Sequence, residues 1–278
     1  MRELGFVEGM NLTIEYRYAE NRPELLDVLA AELVKMKVDV IVVQGSPPTQ
    51  AAQRATSTIP LVFVGPGDPV RIGLVKSLAR PGGNTTGVST NTTEISGKRL
   101  QLLLEMTAGV VPKISRVAVL TNPHTPQGSL TYEQVRMAAE KLGVALVRME
   151  VSTPQDIDNA FAAMQRDKAG AVYVQLDALF EQQKDQIAQL ALQHRLPCMS
   201  PDRMHAESGC LMSYGGSLED MFRYAATYVD KIFKGRSPSE LPVEQPTRIE
   251  LFINGKTAKA LGLKIPQSLL ISADRVIE

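Results

Sequence analysis

One short pattern recurs along this chain and limits what it can fold into: a β-branched run, a tight polar loop, then a helical stretch. Val38–Val43 runs into Gln44-Gly45-Ser46-Pro47, and Ile59–Val64 into Gly65-Pro66-Gly67-Asp68-Pro69. Val117–Leu120 runs into Thr121-Asn122-Pro123, and Ala171–Val174 into Gln175-Leu176-Asp177. Strands alternating with helices of about 10–15 residues imply βαβ units and a parallel sheet. Loops at the carboxyl ends of such strands are where open α/β sheets bind small ligands. Here the loops form two groups, one in each half of the chain, so the expected fold class is α/β with two Rossmann-like lobes whose loop-bearing edges make a cleft.

The remaining periodicity fills in this plan. Asn11–Glu20 alternates Leu12, Ile14, Tyr16 and Tyr18 with polar residues, which predicts a strand. Asn21-Arg22-Pro23-Glu24 has the pattern of a capped helix start, with a helix expected to about Lys37. Helices are predicted over 49–56, 69–78, 96–106, 131–142, 179–194, 218–233 and 256–261. Strands are predicted at 85–90, 145–150, 196–199, 211–214 and 248–253. Ser152-Thr153-Pro154-Gln155-Asp156 predicts a capped helix to about Asp167. Gly5 reads as the cap closing a helical turn. The break near 108–115 divides the lobes.

Composition excludes several function classes. Thirty basic and thirty acidic side chains cancel, with no basic stripe for nucleic acid. No apolar run approaches the roughly 18 residues of a membrane span. Cys198 and Cys210 are too few for a disulfide framework or a zinc site; a single bridge and two buried thiols both remain open. His124, His194 and His205 lack metal-ligand spacing, so no metal is expected. The loop at 65–69 imitates a dinucleotide turn, but Val70 stands where the third glycine belongs, and no cofactor is expected. No nucleophile elbow is present, so no catalytic residue is assigned. Met137 and Met164 read as core filler. With no Trp in the chain, aromatic ligand contacts fall to Tyr or Phe.

Several longer stretches resemble a known family. These are Leu4-Gly5-Phe6-Val7-Glu8-Gly9-Met10-Asn11 with the following Leu12–Arg17, Gly67-Asp68-Pro69-Val70, and Leu78-Ala79-Arg80-Pro81-Gly82-Gly83-Asn84-Thr85-Thr86-Gly87-Val88. Leu241–Thr247 and Asn254-Gly255-Lys256-Thr257-Ala258-Lys259-Ala260-Leu261-Gly262-Leu263 belong to the same set. The chain is similar over essentially its whole length to ABC-transporter substrate-binding proteins of the tryptophan/tyrosine-binding-like family. That resemblance implies a type I periplasmic-binding fold with a hinge of about three crossings. It also implies capture of a small solute, often an amino acid, for delivery to a membrane permease, outside the cytoplasm and with a lipoprotein anchor in some members. The implied lobes are 1–113 with 214–240, and 114–213 with 241–278. Against the family the chain begins late. The first strand, its loop, most of the first helix and any export signal are expected to be missing from it.

The candidate ligand contacts are Gly45, Ser46, Gly67 and Asp68 in the first lobe, Asn122 and Asp177 in the second, and Tyr214 near a hinge crossing. A loop entering a helix N-terminus offers free N–H groups to a carboxylate. Asp177 suits a ligand ammonium through a charge-assisted bond, and Asn122 can donate or accept. Tyr214 is expected against a ligand side chain, with Asp202 a weaker cation partner. Each also has a structural reading: Ser46, Asp68, Asn122 and Asp177 as helix caps, Tyr214 as hinge packing. Two other function classes share this plan, an amino-acid-metabolising enzyme and a cytosolic ligand sensor.

Overall fold

The computed structural model describes residues 1–20, 22–90, 92–109, 113–245 and 248–278. A 3-10 turn, Arg2–Leu4, is closed by Gly5 in the left-handed region. Then come α1 Leu26–Lys35, β1 Ile41–Gln44, α2 Ser46–Ala55, β2 Leu61–Val64, β3 Thr85–Val88 and α3 Thr92–Thr107. The second half continues with β4 Arg116–Thr121, α4 Pro126–Leu142, β5 Ala145–Glu150, α5 Pro154–Arg166 and β6 Ala171–Val174. It goes on through α6 Ala178–Gln182, α7 Lys184–Gln193, β7 Cys198–Ser200, α8 Arg203–Ser208 and β8 Met212–Gly216. The chain closes with α9 Leu218–Phe233, β9 Ile249–Asn254, α10 Gly255–Leu261, α11 Gln267–Ser272 and β10 Arg275–Ile277.

These elements form two units, each assembled from separated segments: Met1–Thr90 with Leu218–Thr247, and Asn91–Ser217 with Arg248–Glu278. Helix α3 lies in the second unit rather than with the first 113 residues. Its Leu100, Leu102, Leu103 and Met106 are buried in one cluster with Val117, Val119, Tyr173 and Met199, which fixes it there.

The first unit is built on a three-stranded parallel sheet in the order β1-β2-β3. All four residues of β2 are buried, as expected of a strand covered on both faces. Leu61 joins Ile41, Val43 and Ala52 on one face, with Leu33 and Val34 of α1 beside them. Val62, Val64 and Val88 join Met221, Ala225, Tyr228 and Val229 of α9 on another. Gly87 permits the β2–β3 approach: a Cβ there would lie 2.1 Å from the Phe63 carbonyl oxygen.

The second unit carries a seven-stranded sheet in the order β10-β9-β8-β7-β6-β4-β5. Neighbours from β5 to β8 are parallel, β9 runs antiparallel to β8, and β10 is parallel to β9. Alternate strand residues enter two cores. Val117, Val119 and Tyr173 face a cluster with α3, α4, α10 and α11. Ala118, Leu120, Val172 and Val174 face one with α5, α6 and α7. Cys198 and Cys210 are bridged, with 5.0 Å between their Cα atoms, inside the second cluster. The capped start of α5 is as its sequence predicts: Thr153 Oγ1 accepts from the Asp156 amide, and Asp156 accepts from the Thr153 amide at 2.8 Å.

The structure corrects several expectations. Residues 11–20 form no strand beyond one bridge between Glu8 and Leu12, since no described strand pairs with them. The alternation is nonetheless expressed, because Tyr16 and Tyr18 stack with ring centroids 6.0 Å apart, while Arg17 bonds Glu32 of α1 at 2.8 Å. The cap expected at Asn21 lies outside the described residues. No helix covers 69–78; Ile72 and Leu74 amides bond back to Asp68 and Pro69 carbonyls, and the turn ends at Gly73, φ 77°. The helix expected over 179–194 is two helices separated at Gln183. Met164 is fully buried as expected, whereas Met137 is 48% exposed and fills no core. The pair α11 and β10 was not anticipated; Leu269 anchors it in the α3–α4 core.

Candidate functional site

In an open α/β sheet a ligand crevice opens where the chain, having added strands on one side of a central strand, continues on the other. In the second unit that central strand is β4: α4 leads to β5 on one flank, and α5 leads back to β6 on the other. The loops leaving β4 and β6 therefore flank the crevice, and they carry Asn122 and Asp177. The structure brings these two together, with Asn122 Nδ2 donating to Asp177 Oδ1 at 3.1 Å. Each also caps its own loop. Asn122 Oδ1 accepts from the His124 amide at 3.0 Å, and Asp177 Oδ1 accepts from the Leu179 amide at 2.9 Å as the N-cap of α6. The helix-cap reading thus holds for Asp177 but not for Asn122, which braces its own loop while Thr125 takes the N-cap position of α4.

Asp177 is not alone. Burial pushes its carboxyl above the ordinary range, against the hydrogen bonds from Asn122, Leu179 and Thr125. Glu181, one helical turn on, is pushed up to about 7 by burial and then by the charges of Asp202 and Asp177. Asp202, the N-cap of α8, is also raised by burial, while its Oδ1 accepts from the Met204 amide at 2.7 Å. The three carboxyl groups at the ends of β6 and β7 are therefore each raised first by burial, and Glu181 is repelled in addition by the other two. A cation arriving among them would relieve both the desolvation and the repulsion. Glu181 was missed in the sequence; its only signal was the four-residue spacing from Asp177.

Tyr214 lies within β8, opposite Leu251 of β9, and is half-buried against the α3–α4 core. Its carbonyl accepts from Nε of Arg99 at 2.5 Å, and Arg99 is itself 2% exposed on α3. The neighbouring Gly215 has no room for a Cβ, which would lie 1.9 Å from the Pro201 carbonyl oxygen. A shallow recess beside it, with a cavity volume of only about 10 Å³, is lined by Arg203, Ser213, Gly215, Ser217, Glu250 and Phe252. That is below the roughly 300–1,000 Å³ of typical small-molecule sites.

In the first unit, β1 and β2 are hydrogen-bonded neighbours, so their exit loops start side by side; the Gly45 amide donates to the Val64 carbonyl at 2.9 Å. Gly45, at φ 82°, occupies the N-cap of α2, and Ser46 is the first helical residue and buried. Ser46 is thus not the cap, and Gly45 provides no side-chain acceptor there. Thr49 Oγ1 instead donates back to the Gly45 carbonyl at 2.5 Å. Gly67 is buried in the loop after β2, and Asp68 Oδ1 accepts from the Arg71 amide at 3.0 Å, stabilising the turn that follows.

Two α/β units exchanging the chain at three points, with polar loops at the carboxyl edges of parallel strands, define the type I periplasmic-binding architecture. The family model of ABC transporter substrate binding proteins matches residues 1–277, and the chain belongs to that family of extracytoplasmic solute-binding proteins. Among its relatives is a tyrosine-binding protein of Clostridioides difficile (strain R20291), 26% identical over 99% of this chain and 76% of the relative. Among solved structures, a conserved domain protein from Vibrio cholerae O1 biovar El Tor is 28% identical, covering 99% of this chain and 90% of that one, at a TM-score of 0.91. The ABC domain in complex with L-Trp from Streptococcus pneumonia superposes at a TM-score of 0.91 with 24% identity, over 99% of this chain and 91% of that one. Among the described residues, no helix is long and apolar enough to cross a membrane.

Proposed function

We propose that the chain captures an α-amino acid with an apolar or aromatic side chain outside the cytoplasm and hands it to an ABC permease, without chemically altering it. The observation that carries this is the Asn122–Asp177 pair at the topological switch beside β4, where these groups and the burial-raised carboxyls of Asp177, Glu181 and Asp202 suit a ligand ammonium. In the first unit, the amide-rich loops at Gly45-Ser46, where α2 starts, and at Gly67-Asp68, after β2, have the chemistry to suit an anionic group such as a carboxylate. Tyr214 packs on the ligand side chain. The tyrosine- and tryptophan-linked relatives make aromatic amino acids the first ligands to try. The Cys198–Cys210 bridge supports an oxidising compartment, since such bridges persist where thiols are not kept reduced. A lipid anchor would hold the protein at the membrane face where the permease works.

The test is calorimetric titration with the twenty amino acids, with a turnover assay on each binder. Expected is saturable binding of tyrosine, tryptophan or a close relative with no product formed. At a ligand concentration of about 100 Kd, the ligand stabilises the native chain by about 2.7 kcal/mol, visible as a higher melting temperature. Failure of every amino acid to bind, or conversion of a bound one, overturns the reading.

A further inference from the structure

Gln175 is the first residue after β6 and is 2% exposed, yet neither its Nε2 nor its Oε1 has a hydrogen-bond partner among the described residues. A buried amide left unpaired costs free energy and calls for an explanation. Its surroundings suggest one. A Cβ on Gly128, in the first turn of α4, would lie 3.4 Å from Gln175 Oε1, 3.2 Å from Thr125 Oγ1 and 2.8 Å from the Asn122 carbonyl oxygen. The unpaired amide is therefore lodged in the β4 side of the same crevice, against the loop whose Asn122 binds Asp177. Glycine at 128 lets α4 begin this close to the amide and to the Asn122 carbonyl.

We propose that Gln175 is a ligand-reading residue whose Oε1 accepts a hydrogen bond from the α-ammonium of the bound amino acid, beside the Asp177 carboxylate. This rests on the amino-acid reading of the same site and assigns it a further contact. An ammonium carries three N–H donors and needs three acceptors. Asp177 Oδ1 is already occupied by Asn122 and Leu179, so the aspartate alone does not satisfy a desolvated ammonium. Another carboxylate would add charge where Glu181 is already repelled by Asp177 and Asp202. An amide oxygen supplies the acceptor with no added charge. Ligand-free, the amide waits unpaired, so the site gives up stability for a ready-made contact.

Gln175→Leu and Gln175→Met test this, with L-tyrosine, L-tryptophan and the des-amino acid 3-(4-hydroxyphenyl)propionate as probes. Both substitutions remove the orphaned amide, so the ligand-free melting temperature is expected to hold or rise. Affinity for whichever amino acid the wild type binds is expected to fall about tenfold, or about 1.4 kcal/mol. Affinity for the des-amino acid, followed by ligand-observed NMR into the millimolar range, is expected to stay within twofold of wild type. Unchanged amino-acid affinity in both variants overturns the proposal and leaves the amide to a buried water. An equal loss for the des-amino acid overturns the ammonium contact. A wild-type chain that binds no amino acid is a different failure, that of the parent reading, and shows before any variant is made.

Discussion

Reduction of the Cys198–Cys210 bridge is the most informative perturbation of this fold. The bridge spans a sequence separation of 12 and encloses all of α8, including the Asp202 cap. Both cysteines are at most 1% exposed, among Val172, Leu179, Phe180 and Ile187. Cys198 is also held by its ladder register with Val172. The native loop is thus pinned without the covalent link, and the link acts chiefly on the unfolded ensemble. For a loop of this length the chain-entropy relation gives about 3 kcal/mol. In a unit of this size that corresponds to a loss of about 6–12 °C in melting temperature. Because the bridge is buried, reduction must be carried out under denaturing conditions, followed by refolding in reductant. Urea unfolding of oxidised and reduced protein then gives both stability and slope. Reduction is expected to lower the midpoint and steepen the slope, since an uncrosslinked unfolded chain exposes more surface. Suppose thiol titration confirms one intact bridge before reduction and two thiols after it. A stability change below about 1 kcal/mol would then refute the entropy argument and place the restraint in native packing alone.

Two further outcomes are expected. Burial raises Glu181 to about 7 and lowers His205 to about 4, from ordinary values of 4.5 and 6.5. From pH 4.5 to 7 the folded chain holds more protons at Glu181 than the unfolded one, so that contribution falls as pH rises. From pH 4 to 6.5 the unfolded chain holds more at His205, so that contribution rises. The two oppose each other in the wild type. Glu181→Gln is expected to unmask a stability that climbs from pH 5 to 7 and to exceed wild type at pH 8 by about 2 kcal/mol, and parallel profiles in urea titrations would sink the assignment. Gly87→Ala must force β3 away from Phe63 and is expected to cost about 3 kcal/mol or more, whereas Gly109→Ala, with nothing within 4 Å, is expected to cost no more than about 0.5 kcal/mol by the same measurement.

Much of the second unit was legible because its information is local. The β-branched runs and the Thr153–Asp156 cap each declare themselves within a few residues. Residues 11–20 misled because alternation reports which side chains share a face, whereas a strand also needs a neighbour, and neighbours are set by the whole sheet. The stretch 69–78 looked helical through its cap pair Asp68-Pro69, but Gly73 in the left-handed region ends the turn before a helix is established. α11 and β10 are short and mostly exposed, so only Leu269, buried by long-range packing, reveals why they form. At the candidate site, the places of Asn122 and Asp177 after β4 and β6 were readable. Their mutual bond, the raised Glu181 and the unpaired Gln175 were not, because each depends on the sheet order that sets those loops side by side. Likewise the two cysteines carried no pairing signal until β7 and β8 were adjacent.

The interleaving of the two units has a consequence for how the protein is made. The apolar face formed by Val62, Val64 and Val88 receives its cover from Met221, Ala225 and Val229 of α9, far later in the chain. The second unit likewise gains β9 and β10 only from the final residues. At synthesis rates of about 5–20 residues per second, that face of the early sheet stands bare for roughly ten seconds on the ribosome. A chain that cannot cover the second face of its first sheet until most of it has been made is suited to being kept unfolded by holding factors and threaded through a membrane before it collapses.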